Sequence, residues 1–137
     1  MKLFLDTNIL LDYLCKRDPF CKDTEILFEM FERKIHQGII SSLTIINCAY
    51  ILRKFFTKRQ INDTLDWLCK DFEIAEINRS CIINAKGSSA KDFEDAVQYF
   101  SALPFSPDVI LTRDKHGYDN FDLLVMSPAE FIAESRK

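Results

Sequence analysis

Residues 2–14 read KLFLDTNILLDYL, and the stop at Asp6 decides how the rest of the chain is understood. Residues 2–5 form a short apolar run without polar alternation, the pattern of a strand covered on both faces. The run ends on a carboxylate. Thr7 and Asn8 follow, and residues 8–15 then read as one or two helical turns, with Asn8 the expected cap. A second acid, Asp12, is expected on the solvated face, where most acids lie. An acid that closes a buried strand can cap the next turn. It can also mark a site, because ligands of open parallel sheets gather outside the carboxyl ends of the strands.

The pattern repeats downstream. Ile26, Leu27, Met30 and Phe31 fall at helical spacing, and Gly38 is expected to end that segment. GII (38–40) then reads as a strand running into a cap at SSLT (41–44), followed by a helix through Ile45, Ile46, Ala49, Tyr50 and Leu52. Another helix is expected over 60–69, a strand at FEIAEI (72–77), and helices over 78–86 and 92–103. DVILT (108–112) and LLVM (123–126) read as strands, and SPAEFIAES (127–135) as a closing helix with Ser-Pro at its start. Short apolar strands alternating with amphipathic helices predict an α/β fold: a three-layer α/β/α sandwich around a central parallel sheet.

With 137 residues the chain fits one domain, 1–137, and its 47% apolar and 28% charged residues match a globular protein. Twelve Phe predict an aromatic-rich core, and three Gly argue against a protein built of tight turns. No apolar stretch approaches the ~20 residues that span a bilayer, and no basic leader precedes a long apolar run. An intracellular, cytoplasmic protein with no membrane association is therefore expected. Five Cys without C-x-x-C spacing and only two His argue against a zinc site and for small buried thiols. A net charge of −3 gives no global attraction to nucleic acid, so an anionic substrate would need a local basic patch or a metal ion.

Strand ends convert sequence position into geometry. Asp6 ends the first strand, and Thr112 and Asp114 end the fourth. Asp92, Glu94 and Asp95 open the helix that precedes the fourth. These acids can converge. Asp92 also suits a helix cap, and Asp95 lies one turn further on the same side. Clustered carboxylates repel unless a cation, a basic group or a raised pKa relieves them. With few His and no paired Cys, an oxygen-only set points to Mg²⁺ or Mn²⁺, which can activate water and neutralise a phosphodiester.

The residues also resemble a known family. LFLDTNILLDYL (3–14) resembles the opening of PIN domains, a family that includes the VapC-type toxins. SSLTIINCAYILRK (41–54) is similar to its second unit, KDFEDAVQYFSA (91–102) to its third, and VILTRDKHGY (109–118) to its fourth. The resemblance runs through the whole chain. It implies a divalent-metal-dependent ribonuclease, often the toxin of a toxin–antitoxin pair, with RNA as substrate, an antitoxin protein as partner and frequent homodimers. Carried over, Asp6, Asp95 and Asp114 match the metal-binding catalytic acids. Asn8 and Thr112 match supporting polar residues, and Asp92 is a neighbouring acid that helps or caps.

One position departs from the pattern. The family's second acid falls on Asn47, which is neutral but can coordinate through its carbonyl oxygen. If Asn47 faces the cleft, a site of fewer charges results. That keeps open a second reading, a PIN-like module that binds RNA or protein without cutting. A haloacid-dehalogenase-like phosphatase also begins with a strand ending in Asp, but it wants an acid where this chain has Asn8. For RNA contact, RKFFTKR (53–59) gathers Arg53, Lys54, Lys58 and Arg59, while Lys16, Arg17, Arg113, Lys115 and His116 flank the proposed site. Tyr13, Phe20, Phe28 and Phe31 are candidates for a partner surface or for the core.

Overall fold

In the computed structural model, which describes residues 1–137, five strands form one sheet in which every pairing is parallel. They are β1 (Lys2–Leu5), β2 (Gln37–Ser41), β3 (Glu73–Ala75), β4 (Val109–Leu111) and β5 (Leu124–Met126), in the order β3-β2-β1-β4-β5. β1 is central, with Phe4 registered between Ile39 of β2 and Ile110 of β4. The chain works outward from β1 to one side and then crosses back to β4. The β1–β4 boundary is thus the point where strand order reverses, the usual ligand crevice of such sheets.

The alternation of side chains along each strand builds two cores. Leu3 and Leu5, with Ile40, Val109 and Leu111, face one way. They meet α1 (Thr7–Leu14), α2 (Cys21–Glu32), α3 (Ser42–Leu52), α4 (Lys58–Asp71) and α7 (Pro128–Ser135). Phe4, Ile39, Ala75 and Ile110 face the other way, against Tyr99 and Ala102 of α6 (Phe93–Ala102). α5 (Arg79–Lys86) covers α6 through Cys81 and Ala85. Each fully buried Leu, Ile or Phe contributes about 1.5–3 kcal/mol of burial. The three-layer α/β/α architecture expected from the sequence is the one observed.

Several local expectations are corrected. Gly38 does not end a helix. It lies inside β2, where a Cβ would overlap the ring of Phe72, so only glycine lets α4's C-cap residue close over the sheet. The preceding helix stops at Glu32, and Lys34 takes the left-handed turn at φ 59. α1 begins at Thr7, and its N-cap is Asp6 rather than Asn8. Asp12 is not on a solvated face. It is fully buried and gripped by Arg113, with Nε to Oδ2 at 2.7 Å and the second nitrogen to Oδ1 at 3.2 Å. Arg17 adds a longer contact of 3.8 Å. α1 thus shows no polar face at Asp12 because the loop after β4 folds over it.

Phe28 is buried in the core, and Tyr13 and Phe31 pack against it partly exposed. Tyr13 stacks on Phe28 at 4.1 Å, and Phe28 packs edge-on to Phe31 at 5.5 Å, within an aromatic group that includes Trp67 and Phe72. Only Phe20 is exposed, beneath the Arg113 guanidinium at 4.0 Å. All five cysteines are free. Cys48 and Cys81 are buried, and burial pushes the Cys48 thiol up to about 12. Cys69 is exposed, unlike the buried thiol expected. No helix is long and apolar enough to cross a membrane.

Candidate active site

Asp6 leaves β1 at its carboxyl end with an extended backbone, and its position there is over-determined. Its Oδ1 accepts from the Thr7 amide at 2.7 Å and from Gln98 Nε2 at 3.2 Å. Its Oδ2 accepts from Thr112 Oγ1 at 2.8 Å. The residue is 7% exposed. A carboxylate has about four lone-pair positions, so roughly one remains open, on Oδ2. Charge-assisted bonds of this kind each contribute on the order of 1.5–3 kcal/mol.

The supporting network is deeper than the sequence suggested. Gln98 is 1% exposed and accepts on Oε1 from Ser41 Oγ at 3.1 Å and Thr44 Oγ1 at 3.0 Å. Thr44 in turn pairs with Thr7 at 2.8 Å. Ser41 ends β2, Thr112 follows β4, and Gln98 lies on α6, so one polar chain ties three segments to Asp6. Thr112 also accepts from the Asp114 amide at 3.1 Å and so fixes the turn that carries the second strand-end acid. Sequence reasoning missed Gln98. The available signal was a polar residue three positions after Asp95, set between the apolar Val97 and Tyr99.

Asp92 is the N-cap of α6 and accepts from the Asp95 amide at 3.0 Å. It is also one of five acids, Asp6, Asp92, Glu94, Asp95 and Asp114, that line a cleft of about 270 Å³ with Asn8 and Arg17. Arg17 is the lone guanidinium against those five carboxyl groups. Burial, followed by the charges of Asp6, Asp92, Asp114 and Glu94, raises the Asp95 carboxyl to about 7. Its floor is Gly117, in the short 3-10 turn Lys115–Tyr118 after β4; any Cβ there would overlap Asp95 Oδ2. Beside it the Tyr118 hydroxyl is buried, 1% exposed, and has no hydrogen-bond partner. Burial and the charges of Asp6 and Asp95 raise its pKa, so it remains a phenol. Asn8 Oδ1 is likewise buried without a partner.

Other expected residues divide. Asn47, half-buried on α3, does not line the cleft itself. Its Nδ2 donates to Glu94 Oε1 at 3.1 Å, which puts it at the cleft's rim and not in the core. Arg53, Lys54, Lys58 and Arg59 are exposed but are not brought to the cleft. α3 leaves the sheet at Ser42, and its 11 residues carry the chain about 16 Å away before Arg53. There Arg53 stacks over Tyr50 at 3.9 Å. His116 is exposed and faces Asp119 at 3.1 Å, and Lys115 pairs with Glu130 at 3.0 Å.

The donors in the cleft are oxygens, the kind that hard divalent cations take. No three His, Cys, Asp or Glu side chains are gathered closely enough to hold a metal ion as they stand. In donor chemistry and in unsatisfied charge the set suits Mg²⁺ or Mn²⁺.

A family model described as PIN domain matches residues 2–116. The chain belongs to the PIN domain family. Three solved structures show how widely this fold is shared. A toxin–antitoxin complex from Klebsiella pneumoniae is 21% identical, with a TM-score of 0.71 over 92% of this chain and 97% of that one. VapBC2 from Rickettsia felis, bound to a DNA fragment from its promoter, is 19% identical, with a TM-score of 0.64 over 93% and 98%. FitAcB from Neisseria gonorrhoeae is 16% identical, with a TM-score of 0.62 over 93% and 98%. The comparison with curated proteins gives no match. This PIN domain therefore shares its architecture almost end to end with chains of those complexes.

Proposed function

We propose that this PIN domain is a divalent-metal-dependent endoribonuclease acting as the toxin of a toxin–antitoxin pair in the cytoplasm. The observation that carries the reading is the meeting of Asp6, Asp95 and Asp114, from three separate segments, in one cleft beside the strand-order reversal. Toxin–antitoxin complexes among the solved structures of the same fold support the pairing with an antitoxin protein. A homodimer belongs to the same reading, and the whole of 1–137 acts as one domain.

Asp6, Asp95 and Asp114 would hold Mg²⁺ or Mn²⁺. The bound ion supplies a lowered pKa for its water and neutralises charge building on the phosphodiester. The chain's own residues do the placing. Thr112 and Gln98 hold Asp6 in place at the cleft, and Gly117 leaves room for the Asp95 carboxyl against the turn after β4. Asn8 offers an unpartnered carbonyl oxygen at the same cleft, and Asp92 holds the first turn of α6. Arg17 is the cleft's own cation for an RNA phosphate. Arg53, Lys54, Lys58 and Arg59 would serve only a substrate long enough to reach past the end of α3.

The test uses labelled single-stranded RNA with Mg²⁺, Mn²⁺ or EDTA, and an Asp6→Asn protein prepared in parallel. Cleavage by wild type alone, and only with metal, is expected. Cleavage that persists in EDTA or in Asp6→Asn rejects the reading. Tight RNA binding without cleavage by a folded wild type would favour the binding module that the neutral Asn47 left open.

A further inference from the structure

We infer that Glu94 is a further acid of the cation site and that Asn47 is its positioning residue. The inference rests on the cation-binding reading above and extends it to an acid to which the resemblance assigned no role. Glu94 and Asp95 are successive residues of α6, so their side chains leave the helix about 100° apart. Yet both line the same cleft. The difference is made by a partner on another element. Asn47 Nδ2, from α3, donates to Glu94 Oε1 at 3.1 Å and draws the exposed Glu94 across to the rim. Oε2 accepts no hydrogen bond within the chain and is left for the cleft.

The chemistry of the pair is complementary. An amide donates where a carboxylate at position 47 would repel Glu94 at hydrogen-bond distance. Positions 47 and 94 therefore hold one negative charge between them, and the fold places it on α6. Without Asn47, an exposed glutamate would sample many rotamers and would have to be ordered at the moment of binding. The cleft also carries an independent sign of a missing ligand: Asn8 lines it, and the buried Asn8 Oδ1 has no hydrogen-bond partner.

Mn²⁺ titration by calorimetry, with the bound ion counted by electron paramagnetic resonance, reads this without any nuclease assay. Glu94→Gln is expected to weaken Mn²⁺ binding about tenfold, the lower end of what supporting residues of metal sites are worth. Asn47→Ala is expected to weaken it about threefold in wild type and not at all in a Glu94→Gln background, the mark of residues that act as a pair. Asn47→Glu alone should bind Mn²⁺ worse than wild type, and Asn47→Glu with Glu94→Gln should restore binding by returning one charge to the pair. All variants should keep the wild-type melting temperature within a few degrees, since neither side chain is in the core. Wild-type affinity in Glu94→Gln overturns the inference alone. Equal losses from Asn47→Ala in both backgrounds overturn the positioning role. A wild type that takes up no Mn²⁺ overturns the cation reading and this inference together.

Discussion

Replacing Asp95 by Asn should make the metal-free protein more stable at pH 8, although it alters a residue of the candidate site. The Asp95 carboxyl sits at about 7 instead of 3.8, first because it is half-buried and then because four other acids face it. Each pH unit of displacement corresponds to about 1.4 kcal/mol, so full conversion would give about 4 kcal/mol of strain in the ionised form. The group is half-exposed, and solvent screening reduces this to about 1–2 kcal/mol. Losing a first-turn acid of α6 costs about 0.5 kcal/mol of helix-dipole stabilisation. The net gain is therefore about 1 kcal/mol, or roughly 3–5 °C in melting temperature for a domain of this size. The sign follows from linkage. A carboxyl raised on folding contributes stability below its unfolded pKa and loses it as pH rises to the folded value. Wild type and Asp95→Asn should thus melt together near pH 4, separate through pH 4–7, and hold a constant gap above. Thermal melts in EDTA across that range are the assay. A variant less stable than wild type at every pH would refute the repulsion argument. Added Mn²⁺ should reverse the order by raising only the wild type.

Two further substitutions probe the parts that hold the site. Gly117→Ala should leave global stability nearly unchanged while displacing the Asp95 carboxyl, whose Oδ2 occupies the space of the new methyl. Mn²⁺ titration should register a loss that a urea melt does not, and equal affinity would show that Asp95 is free to move without consequence. Asp12→Ala removes a fully buried partner of Arg113 and should cost about 2–4 kcal/mol in a urea melt, near the range for breaking a buried pair. A loss under 1 kcal/mol would mean that Arg113, a third exposed, finds water as readily as it found Asp12.

The strand ends were legible because apolar runs and the acids that stop them are local signals. β1 with Asp6 and β4 with Thr112 and Asp114 could be read directly, and parallel topology then brought them to one side. What could not be read was anything set by contact across the fold. Asp12 has the spacing of a surface acid, and only the return of the loop after β4 buries it against Arg113. Gly38 has the look of a helix stop, and only the packing of Phe72 over β2 explains why it lacks a side chain. Gln98 carries no motif at all; its role exists because Ser41, Thr44 and Asp6 arrive from two other segments to meet its amide. RKFFTKR has the composition of a phosphate grip, but composition does not say which end of α3 it occupies.

On the proposed cation-binding reading, Asp6 and Asp95 answer opposite demands, and the fold supplies a different device for each. A site that must bind a hard ion in water needs at least one carboxylate already ordered, because ordering it at the moment of binding would weaken affinity. Asp6 meets that need with three hydrogen bonds and near-complete burial, and it retains an open lone-pair position. The same site must not accumulate so much charge that the empty protein unfolds. Asp95 would meet that need, since a carboxyl at about 7 can hold a proton in the empty cleft and would give it up to a bound cation. On that reading, cation affinity should rise with pH between about 6 and 8, and binding should release a proton. Calorimetry in buffers of different ionisation enthalpy should detect up to about one proton per ion near pH 7, falling toward zero above pH 8. A proton count of zero at pH 7, with Mn²⁺ bound, would place the ion away from Asp95 and leave Asp6 to act with other partners.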